Sequence, residues 1–430
     1  MPQLDSPSQS GGVTRRDFLR TTAAAGAVVA IGPHAARAQS AVERIGVGFI
    51  GVGGRGNSHL QMVHWLKTQG NENVEIVAVC DVYRPRLNAA AEGYKARAYT
   101  DYRELLADKN VDLVCIATPD HHHGYAVLDA LKAGKDVYCE KPVTHWRQFD
   151  LIKRVAEEVP KSGRVFQLGT QAMSDSAWRQ MKKLVREGAI GQPLSGETGF
   201  FRTGDWGERG MSVDDPNARP GKDLDWEAFL GDAPKRDFSV DRFFRWRLFD
   251  DYAGGPATDL YPHCLTQVID VLGVKFPETV VATGGIHRYK YELREVPDTF
   301  NLLAAYPEKV TISVIGSQAN DYQGTGGRGS GNRIPIIRGW DGSLTIVGKE
   351  IVLTYNGDLK KPPRTFPVDQ PEDNVEHWRN LFDCARRRDP KTNSPADLAF
   401  WTQTALIMAS WAYRQGKFAR FDTAAQKVII

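Results

Sequence analysis

The stretch Ile45-Gly46-Val47-Gly48-Phe49-Ile50-Gly51-Val52-Gly53-Gly54-Arg55-Gly56 runs straight into a helical pattern from Asn57 to Gln69. An apolar strand, a G-x-G-x-x-G turn and a helix, in that order, are the setting in which this glycine spacing holds a dinucleotide. Gly51 permits the tight turn, Gly53 lets the backbone approach a pyrophosphate, and Gly56 allows close helix–strand packing. Gly54 and Arg55 complete the loop at the helix N-terminus, whose free N–H groups and positive dipole end favour phosphate. A second strand, Val74–Cys80, carries Asp81 at its carboxyl end, 25 residues beyond Gly56. An acid there accepts hydrogen bonds from an adenosine ribose and repels a 2′-phosphate, which favours NAD over NADP. Arg84 and Arg86 just beyond keep NADP open, and a cap for a helix over 85–95 is the plainer alternative for Asp81.

Two more strands follow at the expected rhythm. Asp112–Ala117 ends in Thr118-Pro119-Asp120-His121-His122-His123, followed by a helix expected from Gly124 to Ala133. Asp136–Cys139 ends in Glu140-Lys141-Pro142. Strand–helix alternation predicts a doubly wound parallel sheet, with the carboxyl ends of its strands facing the ligand crevice.

Upstream, Thr14-Arg15-Arg16-Asp17-Phe18-Leu19-Arg20, the short apolar run Thr21–Ile31 and Ala36-Arg37-Ala38 form a twin-arginine export signal with cleavage expected after Ala38. This predicts passage through the twin-arginine export machinery to the periplasm. The chain has 430 residues, 41% hydrophobic and 25% charged, enough for two folded domains with a core of ordinary size. A net charge of +3 from 55 basic and 52 acidic residues speaks against a dedicated nucleic-acid binder. The five cysteines lack zinc-site spacing, and Cys80, Cys115 and Cys139 read as small buried residues on strands, so no metal site is expected.

The run Thr118–Pro142, T-P-D-H-H-H-G-Y-A-V-L-D-A-L-K-A-G-K-D-V-Y-C-E-K-P, resembles the signature of the Gfo/Idh/MocA oxidoreductases, in a bacterial exported branch. The resemblance extends from Arg44 to the C-terminus. It implies that Lys141 sits beside the nicotinamide and the reacting hydroxyl, with Glu140, Thr118 and Pro119 in the cofactor site and His123 at the position of the family's T-P-x-x-x-H histidine. The family's second catalytic pair matches Asp259 and His263, four residues apart and so on one face if they share a helix. The Lys141–Pro142 bond is a candidate cis site.

The chemistry can also be argued from the residues. Removing hydride from a secondary alcohol requires a base for the hydroxyl proton. A partly desolvated lysine beside a positive ring gives up its proton more readily. A histidine titrates in the useful range unaided. Either Lys141 or His263 can therefore be the immediate base, with Asp259 orienting it.

In the second unit, Val165–Gln171 enters as a strand, and Gln171 can reach the nicotinamide region although the arginine common two residues later in the family is Met173 here. Ser176–Glu187 reads as a helix, 280–305, 310–315 and 340–355 as strands, and His377–Arg388 and Ala396–Gly416 as helices that return to the main body. Gly324–Gly331 reads as a loop. Arg245, Trp246 and Tyr252 precede Asp259 and suit a sugar or polyol, whose C–H faces pack on rings. Core aromatics with surface arginines are the alternative.

These readings predict an α/β chain: signal 1–38, an NAD(P)-binding Rossmann domain 42–165, and an α+β substrate domain 166–430 with a large open mixed sheet. The expected activity is hydride transfer between a sugar, cyclitol or glycoside hydroxyl and a tightly bound nicotinamide cofactor. The alternative is a redox-neutral glycosidase or epimerase using transient oxidation. The resemblance implies a homodimer or homotetramer.

Overall fold

Strands buried on both faces read as continuous apolar runs, and the first sheet is built from such runs. The structure, a computed structural model, describes residues 43–204, 211–290, 293–323, 331–332, 335–368 and 374–430. The export signal and the glycine tract from Gly324 to Ser330 lie outside them.

In chain order the first unit runs β1 (Ile45–Ile50), α1 (Gly54–Thr68), β2 (Val74–Cys80), α2 (Arg84–Tyr94), β3 (Arg97–Tyr99), α3 (Tyr102–Ala107), β4 (Leu113–Ile116), α4 (Asp120–Lys132), β5 (Asp136–Cys139), α5 (Phe149–Ser162) and β6 (Phe166–Leu168). The strands pair in the order β3-β2-β1-β4-β5-β6, all parallel. The order reverses between β1 and β4, where a doubly wound sheet opens its ligand crevice. Helix α4 begins four residues earlier than expected. Pro119, at φ −61°, is its N-cap and Asp120 stands in its first turn, where a carboxylate suits the helix dipole. The three histidines therefore lie on a helix and not on a loop.

The second unit begins with α6 (Ser176–Arg186) and β7 (Pro193–Thr203). Strand β7 is central to a twelve-stranded sheet, yet its sequence did not announce it. Glycines weaken strand patterns, and β7 needs two of them: a Cβ at Gly199 would lie 1.8 Å from Ile315 O, and one at Gly196 would lie 2.6 Å from Val268. There follow α7 (Trp226–Leu230), α8 (Val240–Phe244), α9 (Pro256–Asp259), α10 (Pro262–Leu272), β8 (Thr279–Gly285), β9 (Thr299–Tyr306), β10 (Val310–Ser317), β11 (Ala319–Asn320), β12 (Gly331–Asn332), β13 (Ile336–Gly339), β14 (Gly342–Val347), β15 (Glu350–Tyr355), β16 (Arg364–Pro367), α11 (Asn374–Arg387), α12 (Ala396–Gln415), β17 (Ala419–Asp422) and β18 (Lys427–Ile429). The main path is β16-β15-β14-β13-β7-β10-β9-β8-β17-β18, with β11 and β12 also paired to β7. Among the described strands of this sheet, only β7 and β10 run parallel.

The two C-terminal helices return to the main body, as expected, but to different places. Helix α12 packs on β8, α5 and α10. Helix α11 puts Trp378, Leu381 and Phe382 into the core of the first unit. Between β7 and α9, residues 211–253 form a separate aromatic cluster that includes Trp226, Phe229, Phe243, Phe249 and Tyr252 and takes in Tyr83 from the first unit. We call this segment the roof. All five cysteines are buried and unpaired.

Candidate active site

A cavity of about 850 Å³ opens at the switch point between the first unit and the roof, a size suited to a large cofactor. Its floor is the glycine turn. Gly51 has φ +86°, open to glycine at little cost. A Cβ at Gly56 would lie 1.9 Å from Gly51 O, so α1 could not seat on the turn with any side chain there. A Cβ at Gly53 would meet only the end of Arg86, at 2.7 Å, and one at Gly54 would meet nothing within 4 Å. Gly51, Gly53, Gly54 and Arg55 all line the cavity, whereas Gly56 lies beneath it. The bare backbone leaves room for a pyrophosphate. At the end of β4 the Thr118 hydroxyl is buried, lines the cavity, and has no partner among the described residues. These features fit a dinucleotide.

Asp81 also lines the cavity. Its Oδ2 accepts the Val52 N–H at 2.9 Å and its Oδ1 accepts the Tyr83 N–H at 2.9 Å. Burial pushes this carboxyl up, against the pull of the two N–H groups. The carboxylate thus braces the glycine turn as well as facing the crevice. Arg86 lines the cavity and pairs with Asp214 at 2.5 Å, while Arg84 turns away to the carbonyls of Gly221 and Lys222.

Beside the glycine turn lies a buried polar network centred on Glu140. Its Oε1 accepts from Arg55 Nε at 2.8 Å, His59 Nε2 at 2.7 Å and Gln171 Nε2 at 3.2 Å; its Oε2 accepts the Lys141 N–H at 3.2 Å. Burial alone would raise the Glu140 carboxyl, but the Arg55 cation and the His59 hydrogen bond hold it well below the usual carboxylate range. The Trp378 indole donates to His59 Nδ1 at 3.1 Å. That bond fixes the tautomer: the ring proton sits on Nε2 and points at Glu140. His123 faces two carbonyls, Pro142 O at 2.6 Å and Thr118 O at 2.7 Å, and so ties the Thr-Pro turn to the Glu-Lys-Pro turn. The Lys141–Pro142 bond is cis.

Lys141 Nζ donates to Asp259 Oδ1 at 3.0 Å and to the Asp259 carbonyl at 2.5 Å. Arg247 Nε reaches the same Oδ1 at 3.0 Å and its guanidinium stacks on Trp246 at 4.1 Å. Burial opposes the Asp259 charge, but Lys141, Arg247 and Arg202 outweigh it and hold the carboxyl well below its ordinary range. Lys141, Arg247, Trp246 and His263 line the cavity; Asp259 stands behind them. Asp259 and His263 do not share one helix. Asp259 closes α9 and His263 lies in the first turn of α10, because Pro262 has no N–H to carry a helix through. Nor does His263 titrate in the neutral range. Burial, then the Lys141 cation, pushes it down to about 3, so it is a neutral imidazole.

Two of the residues singled out for a sugar are placed elsewhere. Arg245 pairs with Asp241 at 2.6 Å, and Tyr252 is fully buried in the roof's aromatic cluster. Sequence reasoning also passed over Asp120. This residue is 3% exposed, lines the cavity, and accepts from the Thr258 hydroxyl at 3.3 Å. Burial pushes it up to about 7, reinforced by Asp259 and opposed by Arg247, Lys141 and the Thr258 hydrogen bond. Its place in the first turn of α4 was the available signal. His59 and Trp378 carried none, being 319 positions apart.

Fold and cavity together define a two-domain α/β protein of the dinucleotide-binding class. Residues 45–170 match the NAD-binding Rossmann domain of the Gfo/Idh/MocA oxidoreductase family, and residues 174–282 match the family's C-terminal alpha/beta domain. The chain belongs to that family. Residues 12–32 match a twin-arginine translocation signal, which marks the chain for export. Inositol 2-dehydrogenase of Salmonella typhimurium (strain LT2) is 36% identical over 150 residues, 34% of this chain and 43% of that protein. Inositol 2-dehydrogenase/D-chiro-inositol 3-dehydrogenase of Lactiplantibacillus plantarum is 33% identical over 150 residues, 34% of this chain and 41% of that protein. The chain thus spans less than half the length of these relatives. Levoglucosan dehydrogenase, solved with NADH and levoglucosan, shares the fold at TM-score 0.64 and 18% identity, over 90% of this chain and 99% of that one. The WlbA dehydrogenase from Bordetella pertussis, solved with NADH and UDP-GlcNAcA, matches at 0.63 and 18%, over 88% and 99%.

Proposed function

We propose that this protein is an exported NAD-dependent oxidoreductase that transfers hydride between a secondary alcohol of a sugar, cyclitol or glycoside and a tightly held nicotinamide cofactor. The observation that carries this reading is Lys141, whose side-chain nitrogen faces the cavity from the end of β5, tethered by Asp259. The dinucleotide supplies the hydride acceptor or donor. Gly51, Gly53, Gly54, Arg55 and Asp81 hold it, with Thr118, Pro119, Glu140 and Gln171 toward its nicotinamide. Two N–H groups of Lys141 are directed to Asp259, which leaves the third position on nitrogen for the reacting oxygen. As the neutral amine Lys141 takes the hydroxyl proton on its lone pair during oxidation, and as the ammonium it returns that proton during reduction. Asp259 and Arg247 fix its position. His263, neutral, gives a second hydrogen bond to the substrate oxygen, and Trp246 packs against a C–H face. The relatives and the fold neighbours acting on or bound to cyclitols and sugars support this substrate class. The export match supports a periplasmic protein cleaved after Ala38 that carries its cofactor out already folded in.

The test is mass spectrometry of the cofactor released from native exported protein, followed by a panel of sugars and cyclitols monitored at the nicotinamide absorbance. Bound NAD whose redox state changes with one of these alcohols is the expected result. A protein that leaves the cell without nicotinamide and binds it only weakly would overturn the reading.

A further inference from the structure

The roof crosses the mouth of the crevice and is fastened on both sides of it. On the β2 side, the Asp225 N–H donates to Val82 O at 3.1 Å, the Arg84 N–H donates to Asp223 O at 2.9 Å, and Arg86 pairs with Asp214. On the β4 side, His121 Nε2 and His122 Nε2 both donate to Phe229 O, at 2.8 and 2.6 Å. Strands β2 and β4 are the two neighbours of β1, whose glycine turn forms the floor. A segment tied to both lies over whatever the turn holds. Asp225, Glu227, Ala228 and Phe229 line the same cavity as Asp81 and Tyr102. Asp81 marks the adenosine ribose position, so these roof residues stand over the adenosine half, with Phe229 anchored in the roof's aromatic cluster behind them. The roof belongs to the second unit, so this wall is not part of the Rossmann motif.

We propose that residues 223–232 of the roof form the outer half of the adenosine subsite and that NAD leaves only when the roof detaches from one side. This rests on NAD occupying the cavity, and it supplies the physical means by which an exported protein keeps a cofactor that it cannot replace outside. Nothing in the proposal depends on which alcohol is oxidised.

The experiment compares release of ADP-ribose and of nicotinamide mononucleotide from the full-length mature protein, by stopped-flow with unlabelled NAD as the chase. It uses wild type, Asp214→Ala and Asp214→Ala/His122→Leu. The Asp214 pair is 26% and 32% exposed, so its loss leaves the fold standing. ADP-ribose release is expected to quicken about tenfold in the double variant, with mononucleotide release unchanged. Unchanged ADP-ribose release in both variants, or equal acceleration of the two ligands, overturns the proposal while leaving the cofactor assignment intact. Failure of wild type to bind NAD or ADP-ribose at all overturns the cofactor assignment itself.

Discussion

The two ends of the cavity are made of different material. The dinucleotide end is backbone: a turn with φ +86° at Gly51, two further glycines and a helix N-terminus, all within one short stretch. The other end is side chain: Lys141, Arg247, Asp259 and His263 come from separate segments, and Lys141 and Arg247 are held by ion pairs to Asp259. A backbone site tolerates no added atoms where one stretch of backbone seats on another, as at Gly56, but needs no charge balance. A side-chain site tolerates reshaping but collapses electrostatically when one partner is removed, since an unpaired buried charge is costly.

Lys141→Met is the sharpest challenge to this contrast. Hydride transfer is expected to fall roughly 10²–10⁴-fold, the usual worth of a positioned proton-transfer group. Cofactor content after gel filtration should stay unchanged; loss of the cofactor would mean the two ends are not separate. Gly56→Ala tests the other end. Its Cβ would lie 1.9 Å from a backbone oxygen, so destabilisation of about 3 kcal/mol or more and loss of bound NAD are expected in thermal melts with and without cofactor. Gly53→Ala meets only the flexible end of Arg86 and should melt close to wild type while still weakening NAD binding.

Asp120 lies between the two ends and gives a pH signature. Its folded carboxyl keeps a proton up to about pH 7, whereas an unfolded aspartate loses it near ~3.9. Between roughly pH 4 and 7 the folded state therefore binds more protons, and stability falls as pH rises. Asp120→Asn removes that slope. Its stability relative to wild type should improve by roughly 1–4 kcal/mol from pH 4 to pH 8, read as a widening melting-temperature difference. A constant difference would place the carboxyl's titration elsewhere. The smallest effect is expected from Trp378→Phe, which removes the donor to His59 Nδ1. It should cost about 1 kcal/mol and leave the nitrogen-15 shifts of His59 still reporting the Nε2–H tautomer, because the Glu140 carboxylate goes on accepting from Nε2.

Legibility followed the same division. The strand–turn–helix order of 45–69, the acid at 81 and the turns at 118 and 140 are local patterns, and the parallel sheet follows from them. Strand β7 was missed because its glycines, required for close approach to β10 and α10, erase the alternation that reveals a strand. Arg245 and Tyr252 were drawn toward the site by proximity to Asp259 in the chain. Their neighbours Trp246 and Arg247 reach the cavity instead, because the short helical turn at 246–248 sends successive side chains in different directions. The Asp259/His263 spacing implied one helix, and a proline between them made two.

Residue order alone was enough for the export signal, the dinucleotide turn, the parallel sheet and the place of Lys141 at a strand end, because each depends on residues adjacent in the chain. The depressed histidine at 263, the shared carboxylate of Asp259, the His59–Trp378 bond and the roof over the crevice depend on burial and on charges brought together from distant positions. Those quantities come into existence only when the chain has packed.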